Sequence, residues 1–135
     1  MTRSPNRILA AIFGGGYILV GLLGFAVTGG IDFFATDGGL LFGIFEVNNF
    51  HNVAHLLIGA ALLIAGLTTI PAARAVNMTV GAAYLLLGLA GFFLIDSPFN
   101  HLAINTADNV LHFASAAVLL AVGVGAERGV RAKAL

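Results

Sequence analysis

The chain has 135 residues, 59% hydrophobic and 9% charged, with a formal net charge of zero. A soluble domain carries about 25% charged residues, so this composition cannot furnish a water-facing surface and points to an integral membrane protein. Without cysteine there is no disulfide, thiolate metal site or cysteine nucleophile, and without a basic cluster a nucleic-acid partner has no support.

Four stretches reach the roughly 20 apolar residues that a membrane-crossing helix needs. The first, about Ile8–Thr28, follows "MTRSPNR" and starts like a secretory signal. No small-residue cleavage site closes it, so it is expected to stay as a helix. The second is about Asn49–Thr69, the third about Val76–Ile95 and the fourth about Ala107–Ala126. Backbone groups in lipid must be satisfied within their own segment, which makes these continuous runs helices rather than the alternating strands of a barrel. The connection Gly29–Asn48 holds "GGLLFGIFEV", which is apolar but too short to cross. It is expected to lie along the interface or to fold back over the helix ends.

The basic residues are Arg3, Arg7, Arg74, Arg128, Arg131 and Lys133: the N-terminus, the second connection and the C-terminus. The first and third connections carry Asp32, Asp37, Glu46 and Asp96 and no basic residue. The positive-inside rule then puts both termini and Arg74 in the cytoplasm and the histidines on the extracytoplasmic side.

The chain also repeats itself. "YILVGLLGF" from Tyr17 matches "YLLLGLAGF" from Tyr84, an offset of 67 residues. "NNFHNVAHLLIGAALLIAG" from Asn48 matches "NTADNVLHFASAAVLLAVG" from Asn105, an offset of 57. The reading is one membrane domain over residues 1–135, all-α, a four-helix bundle of two tandem parallel hairpins (about 8–69 and 76–126) related by an axis along the membrane normal. Small residues at Ala10/Gly14, Ala61/Ala65, Ala117/Ala121/Gly125, Gly21/Gly24 and Gly88/Gly91 are expected to serve helix packing within the bundle. Tyr17 and Tyr84 are repeat mates, each expected to pack with one hydrogen bond.

The polar residues of this chain gather at the start of the second and fourth segments. Asn48, His51, Asn52 and His55 share one helix face, as do Asn105, Asp108, Asn109 and His112. In the repeat His55 matches His112, Asn52 matches Asn109, and His51 matches Asp108. Three readings compete. In a structural belt, Asn49 and Thr106 cap the helices, the asparagines bond between helices, and Asp108 fixes an imidazole tautomer. In a metal site, His51, His55, Asp108 and His112 present two i,i+4 pairs to Zn, Fe, Cu or Ni, with Asp108 alternatively orienting a ligand from behind. In a b-type haem site, His55 and His112 are the axial ligands. A proton or small-molecule pathway uses the same belt. His101, in the loop "DSPFNHLAIN", is expected to be solvated. There is no phosphate loop, and Asp108, His112 and Ser115 on one helix face lack nucleophile geometry.

"HNVAHLLIGAALLIAG" with "NTADNVLHFASAAVLLAVG" in a short four-helix chain resembles the DUF4383 family of small bacterial membrane proteins. The specific parts are His51, Asn52 and His55, and Asn105, Asp108, Asn109 and His112. The resemblance implies four helices in a bacterial plasma membrane and no established activity. With so little mass outside the spans, the expected function is a non-enzymatic scaffold or accessory subunit of a larger membrane complex, or a homo-oligomer. Metal or haem binding is the first alternative and a small carrier the second.

Overall fold

The computed structural model describes residues 4–130, so Arg3, Arg131 and Lys133 lie outside the described residues. Helix α1 spans Pro5–Gly24 and ends in a 3-10 turn, Phe25–Val27. A two-stranded antiparallel hairpin follows, β1 Gly39–Leu41 and β2 Phe45–Val47. Then come α2 Asn49–Leu67, α3 Ile70–Leu94 and α4 Thr106–Gly125. All four helices are long and apolar enough to cross a membrane.

Several helix boundaries differ from the sequence reading: α1 starts at Pro5, not near Ile8, because Ser4 caps it and Pro5 fits its first turn. Helix α3 starts at Ile70, not near Val76, because Thr69 caps it by accepting from Ala72 N (3.2 Å) and Pro71 fits its first turn. The α2–α3 connection is therefore only Thr68 and Thr69, and Arg74 stands in the first turns of a helix. The caps of α2 and α4 are Asn48 and Asn105, each one residue before the expected Asn49 and Thr106. Their side-chain oxygens accept from His51 N (2.8 Å) and Asp108 N (3.0 Å). Asn49 is turned back to the loop instead, accepting from Thr28 Oγ1 and donating to Ile31 O.

The hairpin makes the fold slightly less than all-α. Leu41 pairs with Phe45 and Gly39 with Val47, and Leu41 O accepts from Ile44 N at 3.1 Å. Phe42 and Gly43 take φ of 55° and 69°, the handedness of a primed turn that matches strand twist. The hairpin folds back over the bundle, as one of the two expected placements had it. Glu46 N donates to Asp108 Oδ2 (3.1 Å) and Asn105 Nδ2 to Ile44 O (2.8 Å). Leu40, Phe42 and Ile44 remain exposed on the hairpin.

Helix pairing follows a seam of small residues seven apart, the spacing of a coiled-coil contact line. Gly14 and Gly21 on α1 meet Gly59 and Asn52 on α2, and Gly66 on α2 meets Arg7, Ala10 and Ala11. A Cβ on Gly59 would strike Gly14 O (2.8 Å), and one on Gly66 would strike Arg7 O (2.8 Å). Gly81 and Gly88 on α3 meet Leu120 and Phe113 on α4, and Gly123 on α4 meets Met78. Ala10, Gly14, Ala65, Gly21/Gly24 and Gly88/Gly91 are buried as expected, but Ala61, Ala117, Ala121 and Gly125 face outward. Alanine occurs all round these helices, so i,i+4 spacing alone did not select the packed side.

At the end of the bundle opposite the hairpin, Arg7 Nε donates to Gly66 O (2.9 Å) and Arg74 Nε to Gly123 O (2.8 Å). Asn6, fully buried, ties α1 there to α3 and to the segment just after α4. It donates through Nδ2 to Glu127 Oε2 (2.9 Å) and accepts from Asn77 Nδ2 at its carbonyl (3.0 Å).

Candidate metal site

The capping asparagines fix where the histidines fall. Capped at Asn48, α2 carries His51 in its first turn and His55 one turn further, with ring centroids 4.3 Å apart. Helix α4 brings His112 to within 6.0 Å of the His51 ring. One ring nitrogen from each of His51, His55 and His112 lies within 4.8 Å of the other two. All three side chains are buried, at 2%, 5% and 2% exposure. The Nδ1 atoms of all three have no hydrogen-bond partner.

Asp108, the fourth residue expected there, does not join the cluster. It turns back on its own helix end, where Oδ2 accepts from Asn105 N (2.9 Å) and completes a capping box with Asn105. The same oxygen holds the hairpin through Glu46 N. The belt asparagines act as ties. Asn48 Nδ2 donates to Ala35 O (2.8 Å) and His101 O (2.7 Å), which fastens both loops to α2. Asn52 Nδ2 donates to Thr28 Oγ1 (3.2 Å) and Asn109 Nδ2 to Gly88 O (3.0 Å). Their side chains fit because Gly24 and Gly91 leave room; a Cβ at either would overlap Asn52 Oδ1 or Asn109 Oδ1. His101 is exposed, with its ring edge-on to Phe34.

Below the imidazoles lies an aromatic floor that sequence reasoning treated only as packing. The Tyr84 ring stacks on His112 (5.2 Å, 18°) and on Tyr17 (5.3 Å, 23°), and Tyr17 lies 5.2 Å from His55. Tyr17 Oη and Ser115 Oγ share a 2.7 Å hydrogen bond, whereas the Tyr84 hydroxyl has no partner. The repeat pairing of Tyr17 with Tyr84, one turn from Gly21 and Gly88, is the sequence signal that could have placed them beside the histidines.

Neutral imidazole ligates Zn, Cu, Fe and Ni well, and three such groups with one open position is a recurring metal arrangement. Zn–N bonds of about 2.0–2.1 Å set tetrahedral ligand atoms about 3.3 Å apart, so rings whose nitrogens lie within 4.8 Å would draw together by up to about 1.5 Å on an ion. A haem between His55 and His112 fits poorly, because these rings already pack on His51, Tyr17 and Tyr84 and leave no slot for a flat macrocycle.

Fold and site together define a small bundle of four helices long and apolar enough to cross a membrane, with a buried three-imidazole cluster at its hairpin end. The chain belongs to the DUF4383 family, a domain of unknown function, whose family model matches residues 7–125. No curated protein and no solved structure matches it.

Proposed function

We propose that this protein is a multi-pass, non-enzymatic protein of a bacterial plasma membrane that holds one transition-metal ion on His51, His55 and His112, close beneath the extracytoplasmic surface. The observation that carries this reading is the trio of buried imidazoles with ring nitrogens within 4.8 Å and no partner on any Nδ1. A buried polar atom left unsatisfied costs about 1–3 kcal/mol. Three such atoms on three neighbouring buried rings are hard to reconcile with a purely structural belt, and a shared ion would use one nitrogen of each ring.

The topology in this proposal has both termini cytoplasmic. Its support is that Arg7, Arg74 and Arg128 gather at one end of the helices, while Asp32, Asp37, Glu46 and Asp96 fall at the other. The chain is taken as a tandem duplication because contacts recur at the offsets 67 and 57: Arg7 on Gly66 with Arg74 on Gly123, and Gly24 seating Asn52 with Gly91 seating Asn109. The pseudo-twofold axis then runs between the stacked Tyr17 and Tyr84 rings.

The test is elemental analysis of protein purified in mild detergent, with a visible spectrum. The expected result is about one transition-metal ion per chain and no Soret band, with the metal lost in His55→Ala and His112→Ala. Metal-free protein that takes up no added Zn, Cu or Co would sink the reading. The accessory-subunit reading has a separate support: Ala117, Ala121 and Gly125 present a smooth outward seam on α4, suited to another helix. Photo-crosslinking from a benzophenone side chain introduced at Ala121 in native membranes should trap an adduct if that reading holds, and an uncrosslinked chain would count against it.

A further inference from the structure

One side of the imidazole cluster borders a cavity. This cavity of about 220 Å³ between α2 and α3 touches His51, His55 and His112 and is otherwise walled by apolar groups, among them Phe50, Ala54 and Leu87. Past Ile58, Tyr84 and Leu87, which both share, a second cavity of about 280 Å³ continues along the α2–α3 seam to Thr79 and Val80. The opposite face has a groove of about 330 Å³ between α1 and α4 that reaches Tyr17 and Ser115 but no imidazole. There the counterpart of Ala54 is Leu111, which lines that groove.

An ion held by three neutral imidazoles keeps its full positive charge in a low-dielectric place. No carboxylate joins the three ligand nitrogens among the described residues, and Asp108 is bound to Asn105 and Glu46. A buried charge needs a counter-charge, so the remaining coordination position calls for an anion. The cavities beside the cluster are walled almost entirely by apolar surface, which suits hydrocarbon. We propose, resting on the metal reading above, that the His51/His55/His112 ion binds the carboxylate of a single-chain fatty acid whose tail lies in the α2–α3 groove. The acid enters as its carboxylate and displaces water from the ion; no bond in the chain is made or broken.

The experiment uses the full chain in a non-ionic detergent, loaded with Co(II), whose visible bands report ligand exchange. Dodecanoate, acetate and dodecanol are titrated in turn. Dodecanoate should shift the bands at concentrations about a hundredfold or more below acetate, because burying methylenes adds to the same head-group contact, and dodecanol should leave them unchanged. Ala54→Leu, which installs the residue of the matching position, and Ala83→Leu, at an exposed groove wall, should each raise the dodecanoate half-saturation about tenfold while Co(II) stoichiometry stays at one. Equal potency of acetate and dodecanoate, or an unchanged dodecanoate response in both variants, overturns the proposal. Co(II) bound without any response to dodecanoate overturns it alone and leaves the metal reading standing. A chain that takes up none of Co(II), Zn(II) and Cu(II) overturns both, and one that binds Zn(II) or Cu(II) but not Co(II) is tested with dodecanoate and acetate by competition for that metal, with the same outcomes.

Discussion

His51 and Asp108 both donate their backbone N–H to the asparagine that caps their helix, at 2.8 and 3.0 Å, yet their side chains part company. The His51 ring turns inward against His55, while the Asp108 carboxylate turns back to Asn105 N and out to Glu46 N. One position of the repeat places an imidazole in the cluster, and its mate serves architecture. Asp108→Ala should therefore weaken the protein without emptying the site. Losing half a capping box and the hairpin tether is expected to cost about 1–2 kcal/mol, read as a drop of several degrees in Tm in detergent. Metal content should match the parent protein. Loss of metal with little change in Tm would show that Asp108 is a ligand after all.

This division explains what could be read from residues alone. Four continuous apolar runs announced four helices, and the duplicated Asn and His pattern located the cluster. The spacing of Asp108 and His112 did not reveal that a carboxylate at the third helical position is also poised to close on its own cap. Helix α3 began earlier than hydropathy suggested because Thr69 and Pro71 are start signals that an average over apolarity blurs. The hairpin was hidden because "GGLLFGIFEV" has no alternation and its turn uses Phe42–Gly43 in place of Asn–Gly. The seven-residue seam was hard to see among eighteen glycines, several of which, such as Gly15 and Gly16, meet nothing.

That last contrast can be tested directly. Gly91 seats Asn109, and a Cβ there would overlap Asn109 Oδ1, forcing the amide away from Gly88 O. Gly91→Ala should destabilise by about 1–3 kcal/mol, and Gly24→Ala should do the same against Asn52. Gly15 has open space, so Gly15→Ala should be neutral or stabilising by about 0.5–1 kcal/mol through helix propensity. Thermal unfolding of the three variants decides it. Equal effects at Gly91 and Gly15 would refute the seating of Asn109.

At the basic end, Arg7 and Arg74 each reach the final carbonyls of the neighbouring helix, on Gly66 and Gly123. These carbonyls lack partners within their own helix, and the macrodipole favours a cation there. A guanidinium donates through Nε from a planar fork that an ammonium cannot reproduce. Arg74→Lys should thus lose about 1 kcal/mol despite keeping its charge, and Arg74→Ala about 1–2 kcal/mol. Chemical denaturation in detergent compares the two. A lysine variant as stable as the parent would mean that charge alone sufficed and the hydrogen bond contributed little.

Glu127 provides the pH dependence. Burial by itself would raise its carboxyl, but hydrogen bonds from Ser4 and Asn6 and the charge of Arg74 outweigh that and hold its pKa below the ordinary 4.5. A depressed folded pKa contributes stability that is fully present above about pH 4.5 and is lost as the pH falls through the folded value. The carboxylate is half-exposed, so solvent screening keeps its contribution small, about 1 kcal/mol or less. Glu127→Gln should lower Tm slightly at pH 7, and the gap to the parent should close as both are brought below pH 4. Measuring the difference between the two proteins removes every carboxyl they share. A gap that stays constant or widens on acidification would mean that the Asn6–Glu127 bonds do not depend on the charge.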